Sequence, residues 1–432
     1  MMSVRPILRI LRLVLATALL SSAAHAQAEG DSSVPGEILV KLRTTAALDR
    51  LLATYPLARL DSFGKRPIYR LKILGPMSVD VMTSLLSVDP DVLIAEPNVV
   101  HRSPEARKNL PWAVGTPQAY LAQWAPQVLH LDAAHHLSTG AGVRVAVLDT
   151  GVDFAHPALA GRLLPGFDFV DFDNDPSEEG TPDNLSFGHG THVAGLVALA
   201  APGATIMPLR VLDPDGEGNA WVLAEALLYA VDPDGDPSTD DGAQVINMSL
   251  GTTARMRILE AATQLATCFV PNDDNPANDL SDPGYDQDIE RCNRFRGLVI
   301  VAAAGNDGSG SVLQYPAAES AHGLIAVAAS NSGSRLASFS NSGSWVGIAA
   351  PGEGITSSLP NGLYGTWSGT SMAAPLVAGT AALLRSFNRS LKADDVVRRL
   401  TSRSSVLCGT NIRQVDAVAA LLDKVPAATA CR

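Results

Sequence analysis

The chain has 432 residues, 46% of them apolar, and a formal net charge of −12 at pH 7. That length fits one large domain plus a small one. The acidic balance excludes the basic face that a nucleic-acid binder presents. The 36 glycines and 28 prolines interrupt the apolar runs rather than forming a repeat, which fits an α/β protein with many loops.

The first 26 residues read as a signal peptide. Arg5, Arg9 and Arg12 precede the apolar run Leu13 to Leu20, and Ala24-His25-Ala26 is a small-residue cleavage site. The run is too short to span a bilayer, and no later stretch reaches about 18 uninterrupted apolar residues. The expectation is a secreted or periplasmic protein without stable membrane insertion; an uncleaved anchor is the alternative. Cys268, Cys292, Cys408 and Cys431 form an even set in an exported chain, which predicts disulfides. Local pairing, Cys268 with Cys292 and Cys408 with Cys431, is the most economical of three connectivities.

Residues 27–105 predict a small α/β domain in the order β-α-β-α-β: strands at 37–42, 67–73 and 92–98, helices at 46–55 and 79–88. Residues 106–126, with Pro111, Pro117 and Pro126 among polar residues, read as a linker open to proteolysis. Residues 127–432 form the large domain. Strands are expected at 143–148, 205–211, 245–250 and 298–304, with helices from Gly188, from Ala220 and from the Ser371 segment. This alternation predicts a mostly parallel sheet with helices on both faces. Pro375 is expected in the first turn of its helix, where a missing N–H leaves nothing unpaired.

Four residues stand in loops next to these elements. Asp149 ends a buried strand, where open α/β sheets place their sites. His189 lies in Gly188-His189-Gly190-Thr191-His192, Asn306 in Ala303-Ala304-Gly305-Asn306, and Ser371 in Gly369-Thr370-Ser371-Met372. Peptide hydrolysis needs a nucleophile, a base, an anchor for the base and a donor for the oxyanion. Ser371, His189, Asp149 and Asn306 match those roles, in an Asp…His…Ser order known for this triad. A G-x-S-x-G elbow is absent because residue 373 is Ala, which argues against an esterase or lipase. A lone serine at a helix start is usually only a cap; the partners elsewhere in the chain reverse that reading. The remaining alternative is a catalytically silent binding module on a protease fold. His189 and His192 have a helical spacing of three, but no H-E-x-x-H pattern marks a metal pair.

Val145–Gly151 with His156-Pro157, Gly188–Gly195, Asn247–Gly251, Ala303–Asn306 and Gly369–Pro375 together resemble the subtilisin-like serine proteases, or subtilases. The resemblance runs from about residue 120 to 425. Residues 35–100 resemble, more weakly, the subtilase propeptide that assists folding and blocks the cleft. The resemblance implies a subtilisin-like fold, a secreted endopeptidase acting on proteins and peptides, and the chain's own propeptide as intramolecular inhibitor. It implies one substrate rim at Gly216-Glu217-Gly218-Asn219 and another at Ser249-Leu250-Gly251, between which a peptide adds as an extra strand. The S1 pocket is expected between Ser249–Gly251 and Ala303–Asn306, near Asp307 and Gln314. Asp307 and Glu217 either favour basic residues or are solvated loop acids. Catalysis is expected to need no cofactor and no metal. Structural Ca²⁺ is compatible with the acidic loops at Asp168, Asp171, Asp173 and Asp175 and at Asp232, Asp234 and Asp236, which otherwise are solvated turn acids.

Overall fold

The computed structural model describes residues 32–64, 66–108, 112–236, 238–268, 296–319 and 321–426. The expected cysteine pairings involve Cys292 and Cys431, and the signal segment covers residues 1–26; all of these lie outside the described residues. Among the described residues, no helix is long and apolar enough to cross a membrane.

The N-terminal part is an antiparallel sheet, built from β1 (Ser33–Leu42), β2 (Leu57–Ser62), β3 (Ile68–Ile73) and β4 (Val92–Arg102) in the order β2-β3-β1-β4. Helices Ala47–Thr54 and Val79–Leu86 bury Leu48, Leu51, Met82 and Leu86 against Ile38, Val40, Tyr69 and Leu71 of the sheet. β2 is absent from the sequence reading: its segment LARLDS fully buries only Leu57 and has no clean alternation. β4 runs four residues beyond the expected end, through Val99 to Arg102, because it also pairs with a strand of the large part.

The stretch expected as a linker carries short regular elements. Helix Pro104–Lys108 follows β4 directly, β5 (Ala113–Val114) pairs with a hairpin of the large part, and helices Pro117–Ala122 and Trp124–Val128 follow. Thr116 caps the first of the later pair by accepting from Ala119 N, with Pro117 just inside the start.

The large part is a nine-stranded sheet. Its strands are β6 (Arg144–Asp149), β7 (Phe167–Asp168), β8 (Thr205–Arg210), β10 (Val245–Met248), β11 (Val299–Ala303), β12 (Leu324–Ser330), β13 (Ile348–Pro351), β16 (Ser405–Val406) and β17 (Arg413–Gln414). They run β16-β17-β13-β12-β11-β10-β6-β8-β7 and are parallel except where β16 meets β17. The parallel strands are buried on both faces and read as unbroken runs such as VIVAA and LIAVAAS. Helices His189–Ala200 and Thr370–Phe387 cover one face, Ala220–Val231 and Arg257–Thr267 the other. β9 (Glu217–Asn219) extends the N-terminal sheet, and β14 (Ile355–Leu359) and β15 (Leu363–Trp367) form the hairpin that β5 joins.

Pro375 is not in a first turn. Its helix already starts at Thr370, so the missing N–H falls four residues after Ser371 and leaves that carbonyl without its usual donor. The Ser249 hydroxyl donates to Ser371 O at 2.9 Å and fills the gap. Residues 370–385 are all buried, which lets packing override the proline.

Candidate active site

The site lies at the carboxyl ends of β6, β10 and β11, beside the point where the chain switches from one side of β6 to the other. Asp149 ends β6, and its Oδ1 accepts from Thr150 N at 2.8 Å. Gly188, at φ 85°, turns the chain into the next helix and starts it at His189. The lack of a Cβ at Gly190 matters because that atom would lie 2.1 Å from Gly151 O. The helix can therefore press against the end of β6, and His189 Nδ1 meets Asp149 Oδ1 at 2.6 Å with both side chains buried.

Asn306 follows β11. Its Oδ1 accepts from Thr370 N at 2.9 Å and Thr370 Oγ1 at 3.0 Å, while the same hydroxyl accepts from Gly305 N at 3.0 Å. This fixes the amide orientation and leaves Nδ2 beside Gly369, where a Cβ would lie 3.1 Å from it. Ser371 stands in the first turn of its own helix and is fully buried.

A fifth side chain sits among them. Glu105, from the helix after β4, is fully buried. Its Oε2 accepts from Ser371 Oγ at 2.6 Å and lies 3.1 Å from His189 Nε2; its Oε1 accepts from Asn306 Nδ2 at 2.8 Å. A Cβ on Gly369 would lie 1.7 Å from Glu105 Oε1, so the glycine opens the space this oxygen fills. Ser103 caps the short helix by accepting from Ala106 N, and Pro104 follows it. Nothing in the sequence marks Glu105. It is one acid behind a proline, and its meaning depends on residues more than 80 positions away.

The electrostatics follow from the contacts. Burial pulls the His189 imidazole down, but the Asp149 and Glu105 carboxylates on its two nitrogens outweigh it and raise it to about 10. With Glu105 seated, His189 is an imidazolium with both N–H groups engaged. His192 behaves oppositely: burial drives it down to about 3, so it stays neutral and donates Nε2–H to Gly365 O at 3.1 Å. The two histidines thus turn their ring nitrogens to separate partners. Glu178 also escaped the sequence reading. It accepts from Thr150 Oγ1, Thr191 N and Thr191 Oγ1, tying the end of β6 to the His189 helix, and burial pushes it up to about 7.

The expected substrate rims flank an existing strand. β4 pairs antiparallel with β9, with Val100 opposite Asn219, His101 opposite Gly218 and Arg102 opposite Glu217. On the other side Arg102 exchanges both backbone hydrogen bonds with Gly251, Arg102 N to Gly251 O at 3.1 Å and Gly251 N to Arg102 O at 3.0 Å. Ser249 O lies 3.3 Å from Ser371 Oγ, with Leu250 buried between Ser249 and Gly251. Gln314 is buried between Gly251 and Gly305, and Asp307 engages Asn341 and Gln314 through its Oδ2.

A profile of the subtilase family, peptidase S8, matches residues 140–421. This chain is a subtilase. A profile of the fervidolysin N-terminal prodomain matches residues 20–98 of the same subtilase. The subtilase is 36% identical over 332 residues to the thermophilic serine proteinase of Bacillus sp. (strain AK1), covering 74% of this chain and 70% of that relative. It is also 36% identical over 298 residues to thermitase of Thermoactinomyces vulgaris, covering 67% of this chain and 90% of thermitase. The crystal structure of fervidolysin from Fervidobacterium pennivorans superposes with a TM-score of 0.71 at 23% identity, covering 93% of this chain and 62% of fervidolysin. At that identity the likeness speaks to the fold alone, and the chain spans less than two thirds of fervidolysin's length. The subtilase is a subtilisin-like serine endopeptidase with an N-terminal prodomain.

Of the acidic loops, one is already engaged. Asp168, Asp171 and Glu179 converge on the buried Arg210 guanidinium, which supplies the positive charge an ion would bring. Asp232, Asp234 and Asp241 bring carboxylate oxygens within 4.8 Å of one another.

Proposed function

We propose that this subtilase is an exported precursor that hydrolyses peptide bonds through Asp149, His189 and Ser371, and that its prodomain holds it silent until it is processed. One observation supports the reading above the others: Ser371 Oγ, His189 Nε2 and Asn306 Nδ2 all contact the single carboxylate of Glu105. A planar carbon carrying two oxygens there resembles an acyl group set between nucleophile, base and oxyanion donor.

With Glu105 withdrawn, a peptide carbonyl takes its place. Ser371 Oγ attacks the carbonyl carbon, and its proton passes to His189 Nε2. Asp149 holds the Nδ1–H tautomer and stabilises the cation. The oxyanion is held by Asn306 Nδ2 and the Ser371 backbone N–H. Collapse expels the amine, which takes the proton from His189, and water repeats the sequence to release the acid. With Glu105 in place, none of this can start: the serine proton is donated to the carboxylate, the base is already protonated, and the oxyanion donor is occupied.

The reading includes residues 1–26 as the export signal, two disulfides among the four cysteines, and catalysis drawn from the chain's own side chains. A structural Ca²⁺, if bound, would take Asp232, Asp234 and Asp241, whose hard oxygen donors suit it. The test is the full chain carrying Ser371→Ala. Casein hydrolysis should fall to roughly 10³–10⁴-fold over water, the residue left when triad members are removed from subtilisin, a member of this family. Self-cleavage between about residues 100 and 126 should stop. Wild-type activity in the variant would end the reading.

A further inference from the structure

We propose that the substrate cleft of this subtilase selects a basic side chain at the third residue before the scissile bond, with Glu217 as the selecting carboxylate. The inference rests on the proposed function and deepens it by naming a substrate class.

The register carries the argument. The end of β4 lies in the cleft as an added strand between β9 and Gly251. Arg102 exchanges both backbone hydrogen bonds with Gly251, and Ser103 N then donates to Gly216 O at 3.0 Å. A peptide continuing in the same extended form would bring the second residue beyond Arg102 opposite Ser249, two residues before Gly251. Ser249 O is 3.3 Å from Ser371 Oγ, so the carbonyl of that second residue is the one within reach of attack. Arg102 therefore marks the third position, counting back from the scissile carbonyl. In this chain the helix starting at Pro104 turns away after Ser103, and a side-chain carboxylate reaches Ser371 instead.

At that third position the guanidinium meets Glu217. Arg102 Nε lies 2.8 Å and Nη2 2.6 Å from Glu217 Oε1. The loop presents this carboxylate toward the cleft. Asp213 Oδ1 accepts from Asp215 N and Glu217 N, shaping the turn, and Asp215 Oδ1 accepts from Asn184 Nδ2 and Leu185 N. Those two acids are committed within the loop; Glu217 is the one that faces the added strand. Once the prodomain leaves, Glu217 loses its guanidinium, and a substrate with Arg or Lys at the third position restores the pair. Glu217 and Arg102 side chains are 46% and 33% exposed, so the selection is modest and salt-sensitive.

The test uses the full chain, allowed to process itself, and three fluorogenic peptides that differ only in Arg, Gln or Glu at the third position. The wild type should favour Arg over Gln in kcat/KM by about threefold to fivefold and over Glu by about tenfold at low salt, and 1 M NaCl should flatten the ranking. Glu217→Gln should erase the preference, and Glu217→Arg should invert it. A preference that persists in Glu217→Gln, or a wild type indifferent to the third residue while cleaving all three peptides, would overturn the proposal. Glu217 would then serve only to seat Arg102, seen as faster prodomain release in Glu217→Gln with the peptide ranking untouched. A wild type that cleaves none of the peptides would overturn the proposed function along with it.

Discussion

Removing the Glu105 carboxylate should unlock the precursor without any cut in the chain. Glu105→Ala takes one acceptor from Ser371, Asn306 and His189 together and leaves the fully buried His189 cation with Asp149 alone. Removing one member of a buried, hydrogen-bonded charge cluster costs about 3–5 kcal/mol. At 1.4 kcal/mol per factor of ten, the open site becomes about 10²-fold or more easier to populate. The assay is the rate at which a phosphonofluoridate labels Ser371, scoring only uncleaved chain by mass, so that self-processing does not contribute. Labelling of Glu105→Ala at pH 7 should exceed that of the wild-type precursor by that factor, with Glu105→Gln between them. The pH profile supplies the sign. His189 is raised from 6.5 to about 10 in the closed form, so its contribution to closure is complete below about pH 6.5 and fades as pH climbs toward 10. Labelling of the wild-type precursor should therefore rise across that window. In Glu105→Ala the rise should come at lower pH, because one of the two carboxylates holding the proton is gone. Equal labelling of the two precursors at pH 7, with both folded by near-UV circular dichroism, would refute a blocking role for Glu105.

Asn306→Ala should lower kcat of the processed enzyme by about 10²–10³-fold with little change in KM, the loss known for an oxyanion donor in subtilisin; a change confined to KM would remove Asn306 from that role. Glu96 in β4 accepts from Arg257 N and Ile258 N at the start of the Arg257 helix, so Glu96→Ala takes the acceptor from two N–H groups, that of Ile258 buried, in the closed form. Precursor labelling should rise by on the order of tenfold while the kcat of processed enzyme stays at the wild-type value; an unchanged labelling rate would show that the prodomain is not anchored there. If the Asp232, Asp234, Asp241 group holds Ca²⁺, EDTA should lower the Tm of the full chain and added Ca²⁺ should restore it, whereas a Tm indifferent to both leaves these acids as solvated turn residues.

What could be read from the sequence divides along a physical line. The Ser371, His189, Asp149 and Asn306 loops each combine a reactive residue with glycines or small neighbours, because each element must approach another closely: Gly190 against Gly151, Gly369 against the oxygen that Nδ2 of Asn306 contacts. Such close approach leaves a local trace in composition, and so does burial of parallel strands on both faces. Partnerships between distant segments leave none. β2 is held by pairing with β3 and not by its own pattern. β4 overruns its expected end because β9, more than 100 residues later, offers it an edge. Pro375 stands inside a helix only because Ser249, 122 residues earlier than Ser371, satisfies the carbonyl the proline abandons. Glu105 belongs to this second kind. Alone it is a capped acid in a proline-rich stretch; in the fold it is the carboxylate that Ser371, His189 and Asn306 all contact. The prodomain sheet has a profile of its own over residues 20–98, but the acid beyond it carries no local signal, because its surroundings come from the segments it meets. The place to look for such a group is therefore the first acid or extended segment that the prodomain sheet delivers into the cleft.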